Sequence, residues 1–339
     1  MRAVTFVRGC SVAAAILAAG VVAAAQTPST APIVSSCNFS PIVADLDKSI
    51  AFYQSVLGLT VPAPPAGGRL FDGTSPVLDM LGVHGAEGRW VTARIPGSRC
   101  GVEIVELAKL ERTPLTPRAQ DPGASTLVLL VRAISPILAR ARMAGVPIVT
   151  SGGVPIPVES EGGTAIVLRD PDGHFVELLQ AATPPATTAP ADAEIMGWRA
   201  RITVGSIAET LKLYRDEFAL AVTPSPQAKN RAFTALNGVD DVPVGVTTLN
   251  LPGGGRLDFA EFAGVARKPI GARIQDPGAT RFQLQASNAA STIALAKKAG
   301  ATVISTGGTM VSLGGGTQAA AVRDPNNLFL VIFSSAPRN

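Results

Sequence analysis

The strongest constraint on the fold is an internal repeat. The motif Gln-Asp-Pro-Gly-Ala-Ser/Thr occurs at residues 120–125 and again at 275–280. A second motif, Arg-Asp-Pro-Asp/Asn, follows each copy of the first, at 169–172 and at 323–326. Two motifs that recur in the same order at nearly the same spacing predict a duplicated domain, because a fixed period is typical of repeated structural units.

The repeat divides the sequence into two similar domains, at residues 36–180 and 196–335. Between them lies a segment at 181–195 that is rich in proline, alanine and threonine. Such a composition does not favour regular structure, so this segment is predicted to be the linker.

Residues 1–25 have the features of a signal peptide. Arg2 and Arg8 precede an apolar run that is too short to cross a bilayer comfortably and that ends in three alanines. Cleavage after Ala25 would leave a short N-terminal segment at 26–35. The sequence therefore predicts export to the periplasm or the extracellular medium, with an uncleaved N-terminal anchor as the alternative.

Composition narrows the classes of partner. The formal net charge of +4 includes Arg2 and Arg8, so the exported chain is close to neutral and carries no basic run. This near-neutral charge argues against nucleic acid as a partner. No segment after residue 25 has the length of a membrane span. A small-molecule ligand is the expected partner, and the sequence leaves a monomer and a homodimer equally open.

Hydrophobic periodicity gives each copy the same order of elements. In the first copy a strand at 38–43 precedes a helix at 46–57, which Asp45 caps and Gly58 ends. The remaining predicted elements are a short helix at 75–81, strands at 89–95, 101–107 and 127–131, a helix at 135–144, and strands at 146–150, 165–168 and 175–179. Each copy is therefore predicted to contain two successive βαβββ units, in an α+β fold.

Two segments carry a resemblance to a known family. The helix entry at 43–53, with Val56-Leu57-Gly58-Leu59 after it, and the later run at 170–178 are similar to signatures of the vicinal oxygen chelate superfamily. This superfamily includes glyoxalases, bleomycin-resistance proteins and extradiol dioxygenases. The resemblance implies paired βαβββ units that form two half-barrels, each around a cavity in which enzymes of the family hold a divalent metal ion.

The resemblance also implies four inward-facing positions in the first domain. They carry Asn38, Glu103, Thr126 and Glu177, so two of the four residues are the expected carboxylates and none is histidine. We therefore expect Glu103 and Glu177 to share one cavity, as the catalytic and metal-binding residues. Asn38 and Thr126 are expected to contact a ligand beside them.

Several functions are compatible with this oxygen-rich set. Such donors favour Mg²⁺, Mn²⁺ or Ca²⁺ over Zn²⁺ or Fe²⁺, and a metal-dependent lyase, isomerase or dioxygenase-like activity on a small oxygen-rich molecule would follow. The alternative is a metal-free protein that binds a small molecule without turnover. In a third interpretation, repulsion between the two carboxylates causes one of them to bind a proton. Glu103 or Glu177 would then act as a general acid or base.

The second domain departs further from the implied pattern. Its four equivalent positions hold Arg199, Asp258, Arg281 and Val331, a set that does not suit a cation. Two guanidinium groups and one carboxylate facing one cavity predict a site for a small anion. The alternative is an internal ion pair between Asp258 and one of the arginines.

Histidines and cysteines complete the candidate residues. His84 and His174 are both expected in solvent-exposed loops, away from any metal. In the implied fold Cys37 and Cys100 lie on adjacent strands with the same orientation, which favours a disulfide between them in an oxidising compartment.

Overall fold

The computed structural model describes residues 31–62, 69–159, 162–253 and 255–336. The predicted signal peptide and residues 26–30 of the segment at 26–35 lie outside the described residues. Within the part of the chain that is described, no helix has the length and hydrophobicity that a membrane span requires.

Four structural units follow one another along the chain, two in each copy. Unit 1 contains β1 (Ile33–Val43), α1 (Leu46–Ala51), β2 (Arg69–Phe71), α2 (Pro76–Met80), β3 (Glu87–Arg94) and β4 (Gly101–Ala108). Unit 2 contains β5 (Ser125–Val131), α3 (Ile134–Met143), β6 (Ile156–Val158), β7 (Gly163–Arg169) and β8 (Phe175–Gln180). Unit 3 contains β9 (Ile195–Thr203), α4 (Ile207–Leu211), β10 (Ala221–Lys229), α5 (Arg231–Leu236), β11 (Pro243–Leu251) and β12 (Gly255–Phe262). Unit 4 contains β13 (Thr280–Ala286), α6 (Ala289–Lys298), β14 (Thr302–Val303), β15 (Val311–Gly314), β16 (Thr317–Arg323) and β17 (Phe329–Ser335).

The strands form two curled sheets. The nine-stranded sheet has the order β14-β16-β17-β13-β1-β4-β3-β2, with β15 paired to β16, and the eight-stranded sheet has the order β10-β11-β12-β9-β5-β8-β7-β6. The predicted α+β fold with two half-barrels is confirmed. Each half-barrel combines one unit from each copy, because β1 pairs antiparallel with β13 and β5 pairs antiparallel with β9.

The exchange of units follows from the connections between strands. Residues 109–124 lead from β4 in one sheet to β5 in the other, and residues 263–279 lead from β12 back to β13. The predicted linker, by contrast, joins β8 to β9 within the eight-stranded sheet, and residues 181–194 form neither helix nor strand. Unit 1 therefore shares a half-barrel with unit 4, and unit 2 shares one with unit 3.

Alternation of side chains along the strands produces separate cores. On β4, Val102 and Ile104 join the large core that lies between the sheets, whereas Val105 and Leu107 belong to a second core. The face of each sheet that carries this second type of core is called its inner face below. Helix α2 covers the inner face of the nine-stranded sheet, and α5 covers that of the eight-stranded sheet.

Buried hydrogen bonds join the two sheets at the segments 43–53 and 170–178 and at their counterparts in the second copy. Tyr53, in the turn that continues α1, donates to Asp170 across the molecule at 3.0 Å. Tyr214 donates to Asp324 at the same distance in the second copy. Both tyrosines and both aspartates are buried, so each bond satisfies polar groups that would otherwise be costly to desolvate.

Two local predictions need correction. The helix that Asp45 caps leaves α-helical geometry after Ala51 and continues as a π-helical turn at Phe52–Val56, before Gly58 ends it with a φ of 77°. The predicted strand at 146–150 contributes only an isolated bridge from Ile148 to Leu168. Alternation of apolar residues is therefore insufficient to predict a strand where no neighbouring strand continues the ladder of hydrogen bonds.

Asp324 makes stability depend on pH. Burial raises the pKa of its carboxyl from 3.8 to about 6, although hydrogen bonds from Leu328, Tyr214 and Asn326 oppose that shift. Because the folded protein then binds this proton more tightly than the unfolded chain, the free energy of unfolding should fall as the pH rises from about 4 to about 6. The expected loss is on the order of 3 kcal/mol.

Urea unfolding between pH 4 and pH 7 checks this dependence. Asp324→Asn should lack the loss of stability, whereas the exposed control Asp240→Asn should keep it. Identical pH profiles for wild type and Asp324→Asn would contradict the assignment.

Candidate functional site

Glu103 is the centre of a polar cluster on the inner face of the nine-stranded half-barrel. One of its oxygens, Oε2, accepts hydrogen bonds from Ser40 at 3.0 Å, from Gln283 at 2.7 Å and from Arg281 at 3.2 Å. Ser40 lies on β1 and Glu103 on β4, whereas Arg281 and Gln283 lie on β13 of the second copy. The cluster therefore spans the junction between unit 1 and unit 4.

The charge pair in this cluster is well shielded. The Arg281 side chain is 3% exposed and that of Glu103 is 17% exposed. Burial lowers the pKa of the Arg281 guanidinium, and the negative charge of Glu103 opposes that shift. Arg281 Nε has no hydrogen-bond partner among the described residues, so the ion pair is its main compensation for lost hydration.

Asn38 lies at the edge of the same cluster. A bulge in β1 gives it a φ of 39°, a left-handed conformation that asparagine tolerates better than most residues. Its side chain accepts from the Gly101 amide at 2.9 Å and donates to Gln283 at 3.2 Å. Because of the bulge, Ser40 contacts Glu103 where the sequence predicted Asn38.

Glu177 forms the corresponding pair in the eight-stranded half-barrel. Its Oε2 accepts a hydrogen bond from Arg201 at 2.6 Å, and the two side chains are 1% and 7% exposed. The Arg201 guanidinium lies 4.8 Å from the centre of the Phe233 ring on α5, which covers it. Thr126 is buried on β5 opposite Arg201 in register. This pair also joins two copies, because Glu177 belongs to unit 2 and Arg201 to unit 3.

The eight-stranded half-barrel contains a second buried carboxylate, that of Asp258 in unit 3, which two arginines share. Asp258 accepts from Thr248 at 2.7 Å and from Arg256 Nε at 2.9 Å, and its other oxygen lies 3.4 Å from Arg199 Nε. Arg256 also donates to Thr248 at 3.2 Å. The Asp258 side chain is 2% exposed. Arg199 therefore forms the internal ion pair with Asp258 that was the alternative to an anion site.

Two predicted groupings are wrong. Glu103 and Glu177 do not share a cavity, because β4 and β8 belong to different sheets. Arg281 does not join Arg199 and Asp258, because β13 lies in the nine-stranded sheet. Both groupings assumed that one copy forms one half-barrel.

The two histidines differ from each other. His84 is exposed and lies 2.6 Å from Asp79. His174 was predicted to be exposed and is instead buried, with its ring nitrogens 2.9 Å from Asp170 and 3.1 Å from the Ala279 carbonyl oxygen. Burial alone would lower the pKa of His174, but the charge and hydrogen bond of Asp170, together with the contact to Ala279, raise it. The exchange of units buries it, since Ala279 immediately precedes β13.

Cys100 is disulfide-bonded. The Cys37 side chain lies outside the described residues, so the pairing of Cys37 with Cys100 stays a prediction. The Cys100 sulfur lies 3.6 Å from the carbonyl oxygen of Ser36, the residue that precedes Cys37 in the sequence.

Comparison with known proteins places this geometry in a family. Residues 39–178 match the model of the Glyoxalase/Bleomycin resistance protein/Dioxygenase superfamily. The match covers the first copy of the duplication. Its fold is similar to that of glyoxalase I from Zea mays, with 15% identity, a TM-score of 0.57 and coverage of 88% of this chain and 92% of that chain. It is also similar to a candidate dioxygenase from Bacillus subtilis subsp. subtilis str. 168, with 16% identity, a TM-score of 0.56 and coverage of 91% and 87%.

A comparison with curated protein sequences found no match. At these levels of identity the two structural likenesses show a similar fold across both copies. They say nothing about the reaction, because one fold hosts many functions.

The residues present do not fit the divalent ion that the match to this superfamily implies. Within the described ranges there is no group of three or more His, Cys, Asp or Glu side chains placed to hold a metal. Glu103 and Glu177 each contact a buried guanidinium, which offers only N–H donors and a positive charge. The catalytic and metal-binding roles assigned to these two glutamates stay predictions, and their surroundings disfavour a cation.

Sequence reasoning missed the residues that complete each cluster. Ser40, Arg201, Gln283 and Arg256 each lie two positions along a strand from a predicted site residue. Side chains two apart share a face of a sheet, so this period was the available signal. What it could not supply was the partner strand, which depends on the exchange of units.

The buried pair of Glu177 and Arg201 makes a testable contribution to stability. Glu177→Gln should lower the free energy of unfolding by about 3–5 kcal/mol, because it leaves a buried guanidinium uncompensated. The double variant Glu177→Gln, Arg201→Met should be less destabilised than the sum of the single variants. The exposed pair of Lys109 and Glu87 provides the control, since Lys109→Met should cost less than about 1 kcal/mol.

Urea unfolding of the four variants and wild type measures these differences. Strictly additive effects of Glu177→Gln and Arg201→Met would show that the two side chains do not interact.

Proposed function

We propose that the protein is a metal-free member of the superfamily that binds a small, uncharged, oxygen-rich molecule without turning it over. The observation that carries this proposal is the contact between Arg281 and Glu103, in which a buried guanidinium lies 3.2 Å from the carboxylate oxygen. This contact provides the positive charge that a bound metal ion would otherwise supply.

Electrostatics makes the arginine and a metal ion mutually exclusive. A divalent cation that reached Glu103 would lie within a few ångströms of the guanidinium, and repulsion between cations is strong in a shielded site. Arg281 cannot relieve the repulsion by losing its proton, since arginine stays protonated in proteins. Glu177 and Arg201 repeat this arrangement in the other half-barrel.

The nine-stranded half-barrel is the better candidate for the ligand. Asn38, Glu103 and Gln283 are all partly exposed there, whereas Glu177 in the eight-stranded half-barrel is buried under α5. Together, Asn38, Glu103 and Gln283 offer both hydrogen-bond donors and acceptors. Its one carboxylate is already balanced by Arg281, so a neutral ligand with hydroxyl or carbonyl oxygens suits it better than an ion.

The comparisons support this proposal only at the level of the fold. Glyoxalase I and the candidate dioxygenase are named as enzymes, and the superfamily scaffold is therefore compatible with catalysis. In this chain an arginine lies beside the inward glutamate of each half-barrel, and this arrangement supports ligand binding without catalysis. We retain export through residues 1–25 as part of the proposal, with the ligand taken up outside the cytoplasm.

Calorimetry and ligand-observed NMR on the full chain test the proposal. After treatment with EDTA and dialysis, the protein should show no saturable binding of Mg²⁺, Mn²⁺ or Zn²⁺, and EDTA should not change its melting temperature. Hydroxyacetone or catechol, used as neutral probes, should give saturation transfer. Gln283→Leu should weaken that binding by about ten-fold through loss of one hydrogen-bonding side chain.

Thr126→Val is the matched control, because Thr126 is the counterpart of Arg281 in the other, closed half-barrel. It should leave probe binding unchanged. Stoichiometric metal binding, or equal effects of Gln283→Leu and Thr126→Val, would overturn the proposal.

A further inference from the structure

We infer that Glu103 selects the ligand by the type of hydrogen bond that the ligand makes. The site accepts a molecule that donates a hydroxyl group, an alcohol or a phenol, and rejects the corresponding ether. This inference rests on the proposed function, in which an uncharged, oxygen-rich molecule binds at the Glu103 cluster. The observation that carries it is the unequal use of the two oxygens of one carboxylate.

The two carboxylate oxygens of Glu103 differ in their partners. Ser40, Gln283 and Arg281 all donate to Oε2, at 3.0 Å, 2.7 Å and 3.2 Å. Within the part of the chain that the structure describes, no residue donates to Oε1. Each carboxylate oxygen offers about two lone-pair sites. Oε2 is therefore fully used, whereas Oε1 keeps its capacity to accept hydrogen bonds.

Oε1 can be reached from the inner face of the half-barrel. Glu103 alternates along β4 with Val102 and Ile104, which belong to the core between the sheets, so its side chain lies on the inner face. That side chain is 17% exposed. Arg281 Nε is buried without a hydrogen-bond partner, whereas Oε1 of Glu103 retains accessible surface. A ligand on the inner face can therefore contact Oε1 directly.

The charge of the cluster determines what may contact Oε1. A carboxylate can only accept hydrogen bonds, so the contacting group must be a donor. A positively charged donor is disfavoured, because the Arg281 guanidinium lies 3.2 Å from the other oxygen of the same carboxylate. An uncharged donor meets both conditions, and its hydrogen bond to a charged oxygen is stronger than one between two neutral groups.

Gln283 favours a hydroxyl group over other uncharged donors. Its amide nitrogen has two hydrogens, of which one is donated to Glu103, and its amide oxygen accepts from Asn38. The second amide hydrogen has no acceptor among the described residues. A hydroxyl group can donate to Oε1 and accept from Gln283, whereas an amide N–H can only donate and an ether oxygen can only accept.

Two matched pairs of uncharged probes test the inference on the full chain. Hydroxyacetone is compared with methoxyacetone, and catechol with 1,2-dimethoxybenzene, by calorimetry and ligand-observed NMR titration. In each pair, methylation removes the O–H donor and keeps the oxygen. The ether should bind at least about ten-fold more weakly than its hydroxyl counterpart, because it brings an acceptor to Oε1.

The variant Glu103→Gln tests whether Oε1 is responsible for this preference. The three donors at Oε2 require an acceptor, so the amide oxygen of the new side chain takes that place and the amide nitrogen replaces Oε1. The preference for the hydroxyl probe should then fall to about two-fold or less. Both probes are measured on the same variant, so a smaller folded fraction cancels in the ratio of affinities. An unchanged preference in Glu103→Gln would overturn the inference.

A probe of matched size keeps the test decisive if Glu103→Gln is too unstable to assay. 2-Butanone has about the size of hydroxyacetone and has no O–H group, so wild type should bind it as weakly as it binds methoxyacetone. Binding of 2-butanone as tight as that of hydroxyacetone would show that size selects the ligand, and would overturn the inference. Thr126→Val, in the other half-barrel, is the control and should leave every affinity unchanged.

The probe pairs also separate this inference from the proposed function. No binding of any of these probes, or stoichiometric binding of Mn²⁺, would overturn the proposed function and this inference with it. Binding of both members of each pair with equal affinity would overturn the inference alone, because an uncharged, oxygen-rich ligand would still be bound.

Discussion

The inward glutamate of each half-barrel is shielded from water and requires a compensating charge, which is supplied by an arginine from the other copy of the domain. Glu103 of unit 1 contacts Arg281 of unit 4, and Glu177 of unit 2 contacts Arg201 of unit 3. Each pair therefore forms only when the copies exchange units. The same contact stabilises the junction between copies and sets the charge of the inner face on which a ligand would bind.

Equivalent residues of the two copies keep the same role in some places and differ in others. Tyr53 with Asp170 and Tyr214 with Asp324 are matched hydrogen bonds that join the sheets in the same way. On the inner faces the match is lost, because Gln283 corresponds to buried Val128 in the repeat. One half-barrel thus keeps a partly exposed polar cluster, and the other is closed by α5. The framework of the duplication is preserved, and its two inner faces have diverged.

Much of the local structure could be predicted from the sequence. Asp45 as a helix cap, the strands that carry Glu103 and Glu177, and the superfamily fold all follow from local pattern and from the two signatures. The exchange of units could not be predicted, because an internal repeat gives the same periodicity whether β1 pairs within its own copy or with β13. That one ambiguity explains why Glu103 and Glu177 were grouped together, why Arg281 was grouped with Asp258, and why burial of His174 against Ala279 was missed.

The two faces of β13 carry side chains of different character. Arg281 and Gln283 face the cluster around Glu103, whereas Phe282 and Leu284 belong to the large core between the sheets. On the inner face the arginine–carboxylate balance determines which ligand is favoured. The account therefore depends most on the claim that a guanidinium takes the place of a metal ion beside Glu103.

Anomalous diffraction from crystals of the protein soaked in Mn²⁺ tests that claim most directly. The account predicts no anomalous peak at either inward glutamate, with Arg281 in contact with Glu103 and Arg201 in contact with Glu177. A manganese peak within coordinating distance of Glu103 or Glu177, with the arginine displaced, would contradict it.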